Sequence, residues 1–210
     1  SPQIARNLLA FRYSLLDQAR ARARELGHRG AMFPWRTING NEASAHYAAG
    51  TAQYHINADI MYALRKYVQA TGDEAFLRDF GAEMLVETAR LWLDLGFFSD
   101  ANDGMFCINS VTGPDEYNTV VNNNAYTNLM ARENLRYAAQ TVEALKTKQP
   151  GAYYALARKT SLAPSEPEGW VRAAATAQRV ARVELAPSFK GMRVGRSSRM
   201  AASQSAISGS

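Results

Sequence analysis

Apolar side chains recur at helical spacing along most of this chain, and two long stretches lacking that period interrupt them. This alternation restricts the fold more than any other feature. In residues 3–25 the stripe is Ile4, Leu8, Phe11, Leu15 and Ala19, with arginines opposite, as in an amphipathic helix. Gly27 and Gly30 end it. Residues 54–69 repeat the pattern through Ile56, Ile60, Leu64, Tyr67 and Val68, Gly72 stops that helix, and Asp73 is placed to cap the next. Phe76, Leu77, Phe80, Met84, Leu85, Thr88, Leu91 and Trp92 make the apolar face of a third helix. A fourth is predicted over 124–146 through Tyr126, Met130, Leu135, Ala138, Val142 and Leu145, a short fifth over 152–159, and a sixth from Glu168.

The aperiodic stretches are residues 30–53 and 97–123, the second with a hairpin predicted at 105–108 after the turn Asn102-Asp103-Gly104. Loops this long inside a helical domain tend to carry function. Both are rich in aromatic, carboxylate and amide groups. The reading is all-α, with paired helices joined by long loops and the site on those loops.

With 210 residues there is room for one ordinary domain, and 47% apolar with 20% charged residues is a globular composition. The single cysteine, Cys107, cannot form an internal disulfide, so an oxidising compartment is not indicated and a cytoplasmic one is expected. No apolar run approaches the roughly 18 residues of a membrane span, and the first residues carry no signal-peptide pattern. A net charge of +5 suggests a polyanion partner, but its location argues against a specific nucleic-acid site. From Gly169 onward there are seven basic side chains and one acid, whereas residues 1–168 hold 17 basic and 18 acidic ones. The helical stripe also vanishes near the end. Residues 1–175 are therefore expected to form the domain, and residues 176–210 a basic Ser/Arg-rich tail, disordered or out of frame.

Several chemistries are excluded by pattern. There is no Gly-rich phosphate loop, no Cys/His metal spacing, and no Gly-x-Ser-x-Gly turn. His28, His46 and His55 are scattered. What remains is Val111-Thr112-Gly113-Pro114-Asp115-Glu116-Tyr117, a rigid turn followed by two acids. A carboxyl group in an aromatic pocket is disfavoured as an anion and so prepared to donate a proton, commonly to a glycosidic oxygen. The aromatic faces of Trp35, Tyr47, Tyr54 and Tyr117 suit sugar rings. Residues alone leave this reading level with a simple turn and helix cap. By the same token His55 could merely cap its helix and Trp35 could plug a core, and residues 122–124 read first as an N-cap with loop hydrogen bonds.

Ala31-Met32-Phe33-Pro34-Trp35-Arg36, Gln53-Tyr54-His55-Ile56-Asn57-Ala58-Asp59-Ile60, Glu87-Thr88-Ala89-Arg90, Gly113-Pro114-Asp115-Glu116-Tyr117 and Asn123-Asn124-Ala125-Tyr126-Thr127-Asn128 resemble, in order, motifs of glycoside hydrolase family 65. That family contains maltose, trehalose, kojibiose and nigerose phosphorylases. The resemblance covers residues 4–174 and implies part of an (α/α)6 barrel. It also implies inverting phosphorolysis, in which phosphate attacks an α-linked glucosyl disaccharide and releases β-glucose 1-phosphate and glucose. Glu116 falls on the family's general acid. Trp35, Arg36 and Glu42 fall in the segment shaping the acceptor-sugar subsite, and His55, Asn57 and Asp59 on a motif at a nearby helix start. Asp115 and Tyr117 flank the acid and are counted with the substrate contacts. No metal or cofactor is implied beyond inorganic phosphate as co-substrate.

The family pattern is not complete here. A member is several times longer, with an N-terminal β-sandwich, a Trp-Asp pair for the donor glucose, and a Lys-Gln pair with phosphate-binding groups, none of which this chain contains. The expectation is a partial catalytic domain of a disaccharide phosphorylase with uncovered apolar helix faces and hence self-association. The alternatives are an inverting trehalase-like hydrolase, which needs a second carboxylate as base, and a non-catalytic sugar-binding piece.

Overall fold

The computed structural model describes residues 1–44, 49–115, 117 and 119–177. Helices α1 (Pro2–Ser14) and α2 (Leu16–Glu25) replace the single helix predicted over 3–25. The break has a local cause. Ser14 Oγ donates back to the Phe11 carbonyl at 2.8 Å and Leu15 N–H donates to Arg12 at 3.1 Å, tightening the turn so that both Leu15 and Leu16 face the core. The next helix, α3 (His55–Thr71), ends as expected on Gly72 in a left-handed conformation. Asp73 accepts from Phe76 N–H at 3.0 Å and caps α4 (Glu74–Phe76).

The third predicted helix is continuous in direction but not in pitch. A π-helical turn, Leu77–Gly81, separates α4 from α5 (Ala82–Leu95). There α3 comes so close that a Cβ on Gly81 would lie 2.9 Å from Leu64 Cδ2. A small hairpin follows, β1 (Phe97–Ser99) antiparallel to β2 (Met105–Cys107), with Phe98 opposite Phe106. Asn124 accepts from Thr127 N–H at 3.0 Å and caps the long α6 (Ala125–Lys148). Helices α7 (Pro150–Thr160) and α8 (Glu166–Ala177) complete the described chain. The predicted tail lies outside the described residues from position 178 on.

Helix α6 packs against α3, α5 and α8, and the core between them is filled by Trp92, Trp170, Phe76, Phe106, Leu85 and Leu135. A buried polar line crosses it: Trp92 Nε1 donates to Asn134 Oδ1 at 2.9 Å, and Asn134 Nδ2 to Thr88 Oγ1 at 3.1 Å. Beside it, the Glu87-Thr88-Ala89-Arg90 motif does structural work. Arg20 of α2 reaches Glu83 and Glu87 at 2.8 and 3.0 Å, while Arg90 pairs with Glu87 at 3.2 Å and Glu166 at 2.7 Å. Lys159 and Tyr13 complete the shell of Glu83. Burial works against the Glu83 anion, but hydrogen bonds from Lys159, Tyr13 and Arg20 outweigh it and hold the carboxyl below its ordinary range. One face is left bare: Ile4, Leu8 and Phe11 of α1 are 62%, 63% and 45% exposed. The result is an all-α array with long inter-helix loops.

Candidate functional site

The first long loop is tied to the helices at its root. Ala31 N–H donates to the Glu87 carbonyl at 3.1 Å, and Met32 N–H to Ala19 at 2.9 Å. Gly30 passes so near α5 that a Cβ would lie 2.1 Å from that Glu87 oxygen. Phe33 N–H then donates to Asn57 Oδ1 at 2.9 Å, and Asn57 Nδ2 donates to the Tyr54 carbonyl at 3.0 Å. Asn57, expected among the substrate contacts, is thus 0% exposed and braces the loop against α3. Beyond this root, Trp35 is half-buried with the Arg36 guanidinium 4.2 Å above its ring.

Glu42, expected in the acceptor-sugar segment, is the hub of the loop. Its carboxylate accepts from Trp35 N–H at 3.1 Å, Arg36 N–H at 3.3 Å and Ser44 N–H at 3.1 Å, and it lies 3.3 Å from Arg22 of α2. His46 and Tyr47, at the far end of the loop, lie outside the described residues.

His55 and Asp59 lie one turn apart on α3 and share a face. The His55 ring is 3% exposed and meets Tyr126 edge-on at 5.6 Å. Its Nδ1 has no partner among the described residues, so a helix-capping role is not what this histidine performs. Burial pushes the imidazole pKa down, against the attraction of Asp59. Tyr126 donates to Asp59 Oδ1 at 2.8 Å. Burial raises the Asp59 carboxyl pKa, with the Tyr126 hydrogen bond and His55 opposing, and burial with Asp59 pushes the Tyr126 phenol up to about 12. Tyr126 was passed over as a site residue in the sequence. Its signal was position two in the helix after the Asn124 cap, which aims it back along the loop end.

The second loop is closed on itself. Val111 and Val121 exchange backbone hydrogen bonds at 3.0 and 2.8 Å, which holds the two ends of the intervening segment together. Asn122 and Asn123 accept from Ser110 and Ile108 N–H groups, each at 3.0 Å, as the N-cap-and-loop reading of residues 122–124 required. Gly113 sits against Asn124, where a Cβ would be 2.6 Å from Nδ2. Val120 at φ 55° and Asn123 at φ 53° hold left-handed conformations, which for β-branched Val120 costs about 1–2 kcal/mol. Asp115 accepts from Tyr117 N–H at 3.2 Å, a turn-forming bond, and the Tyr117 side chain is 97% exposed. Glu116 itself lies outside the described residues.

Thr112 N–H donates to the Ala52 carbonyl at 3.0 Å. That bond joins the start of the second loop's closed segment to the first loop, just before His55, so Trp35, the His55–Asp59–Tyr126 cluster and the Gly113–Asp115 segment belong to one end of the helix array. The assembly offers aromatic faces, a carboxyl, a phenol and an imidazole, groups that suit hydroxyl-rich ligands. Among the described residues no group of three or more His, Cys, Asp or Glu is arranged to hold a metal ion. No described helix is long and apolar enough to cross a membrane.

A family model described as the glycosyl hydrolase family 65 central catalytic domain matches residues 1–181. An α,α-trehalose phosphorylase of Thermoanaerobacter brockii is 56% identical over 173 residues, covering 82% of this chain and 22% of its own length. A kojibiose phosphorylase of Caldanaerobacter subterraneus subsp. tengcongensis is 39% identical over 181 residues, covering 80% and 23%. Among solved structures, a putative kojibiose phosphorylase from the human microbiome superposes with a TM-score of 0.76 at 30% identity, covering 84% of this chain and 24% of that one. The chain thus spans less than a quarter of the length of these relatives.

Proposed function

The chain belongs to glycosyl hydrolase family 65, and on that premise we propose that it carries the acid-bearing part of an inverting disaccharide phosphorylase, with trehalose as the disaccharide. Trehalose is favoured because the trehalose phosphorylase is 56% identical and the kojibiose phosphorylase 39%. Glu116 is assigned as general acid. It gives its proton to the glycosidic oxygen as the C1–O bond breaks, while a phosphate oxygen forms the new bond to C1 from the opposite face. Phosphate is an anion at neutral pH and needs no base, so one protein carboxyl group suffices. Trp35 and Arg36 are assigned to the acceptor glucose, and His55, Asp59 and Tyr126 to its hydroxyls. Asp115, which accepts from Tyr117 N–H, and the exposed Tyr117 are assigned to the substrate contacts on either side of the acid in sequence. The reading includes a cytoplasmic location, which the single cysteine suits.

The observation that supports the proposal is the Thr112–Ala52 hydrogen bond, which ties the chain just before Gly113–Asp115 to the first loop, two residues ahead of the Tyr54–His55 helix start. The test grafts residues 1–177 in place of the matching segment of the Thermoanaerobacter brockii enzyme. Phosphate-dependent release of β-glucose 1-phosphate from trehalose is expected. Glu116→Gln should lower turnover by about 10²–10⁴-fold with little change in sugar affinity, and a substrate with an activated leaving group should partly restore it. Glucose release without phosphate would favour the hydrolase. If Asp115→Asn is as damaging as Glu116→Gln and neither is restored, Glu116 is not the acid.

A further inference from the structure

We propose that Arg22 and Glu42 are positioning residues for the Trp35–Arg36 platform and make no contact with sugar, an inference that rests on reading this loop as the acceptor subsite. The described residues of the loop form no helix or strand, so regular backbone pairing among them does not hold the indole in place. Glu42 supplies the missing order. Its Oε2 takes Trp35 N–H and Arg22 Nη2, and its Oε1 takes Arg36 N–H, Ser44 N–H and the Ser44 hydroxyl.

Those donors already meet or exceed the roughly four lone-pair directions of a carboxylate, leaving no acceptor for a ligand hydroxyl. Glu42 therefore acts through the loop. Arg22 determines where the loop lies. The two side chains are only 15% and 10% exposed, so water screens the pair weakly. A second anchor is close by: Gly40, at φ 101°, presses the same loop on α2, where a Cβ would meet Leu15 Cδ2 at 3.0 Å and Gln18 Cγ at 3.3 Å. The platform is thus referenced to α2.

The experiment uses the chain itself. Trp92 and Trp170 have 0% exposure, so acrylamide quenching of tryptophan emission reports on Trp35. Hydrogen exchange of the Trp35, Arg36 and Ser44 amides and ligand-observed NMR with trehalose complete the readout, for wild type, Glu42→Gln, Arg22→Met and Arg22→Lys. Glu42→Gln and Arg22→Met should each speed exchange of these amides about tenfold, the effect of losing one charge-assisted hydrogen bond. Both should raise Trp35 quenching and weaken trehalose binding with unchanged helical circular dichroism, and Arg22→Lys should recover most of the loss. Sugar affinity that falls in Glu42→Gln and stays at the wild-type value in Arg22→Met would overturn the proposal, because Glu42 would then be a direct ligand. Loss of helical signal in Arg22→Met without recovery in Arg22→Lys would also overturn it. If wild type binds no trehalose, the acceptor-subsite reading falls, and exchange and quenching still decide the positioning claim.

Discussion

Replacing Gly30 with alanine isolates the contact that fixes the root of the first loop on α5. Gly27 and Gly30 have nearly the same left-handed backbone, φ 78° and 80°. A Cβ on Gly27 meets no atom within 4 Å, whereas one on Gly30 would sit 2.1 Å from Glu87 O, 2.7 Å from Leu91 N and 2.9 Å from Arg90 Cβ. Both substitutions incur about 1–2 kcal/mol for an L side chain in that conformation, offset by about 0.4–1 kcal/mol from the stiffer unfolded chain. Gly27→Ala should therefore cost about 0–1.6 kcal/mol. Gly30→Ala adds about 1–3 kcal/mol of overpacking against backbone that cannot rotate away. It also adds about 1 kcal/mol for the displaced Ala31–Glu87 hydrogen bond. The sum is about 2–5.6 kcal/mol, or a fall in Tm of about 4–20 °C against about 0–6 °C for Gly27→Ala. Thermal melts of the two variants measure the difference, and hydrogen exchange at Ala31 to Phe33 locates it. Equal destabilisation, within about 0.5 kcal/mol, with Ala31 still protected would refute the close approach of loop and helix.

Two further outcomes follow from the same structure. The Glu83 and Glu166 carboxyls are held low: burial opposes this, but hydrogen bonds from Lys159, Tyr13 and Arg20 to Glu83, and from Arg90 to Glu166, prevail. Their folded pKa values lie below the ordinary 4.5, so their stabilisation is complete above about pH 4.5 and is lost as pH falls through the folded values. Melts between pH 6 and 3 should show this decline, and a flat profile would contradict the ion network. The second outcome concerns the bare stripe Ile4, Leu8 and Phe11 on α1, which should make the chain self-associate. Light scattering should report oligomers that Leu8→Glu disperses, and a monomeric wild type at high micromolar concentration would count against the stripe as the cause.

The site was only partly legible in the sequence. Motif order brought together Trp35, His55, Asp59 and Asp115, since each belongs to a short segment whose composition is unusual for a helical core. The same segments could not separate ligand groups from braces. Asn57 and Glu42 are polar and lie in or beside those motifs, yet the Asn57 Oδ1 and the Glu42 carboxylate accept backbone N–H groups of the first loop, and Asn57 Nδ2 donates to the Tyr54 carbonyl. Tyr126 reads in the sequence as part of a helix stripe and a motif, and its link to the site is not legible there because its partner, Asp59, is 67 residues away.

What the sequence determined by itself was local: where helices begin and end, at Gly72, Asp73 and Asn124, and that two long loops separate them. Capping and left-handed glycines act within a few residues, so the chain states them without a fold. The break at Leu15 admits two neighbouring leucines to one core, and the π-turn of Leu77–Gly81 lets α3 and α5 pass at Gly81. Both answer to packing between segments far apart in sequence. The body's near-neutral charge likewise said nothing of Glu83, Glu87 and Glu166 being buried against Arg20 and Arg90. Only the tertiary structure decided those, because an ion pair or a close approach across distant residues exists only when the whole array brings its members within a few ångströms.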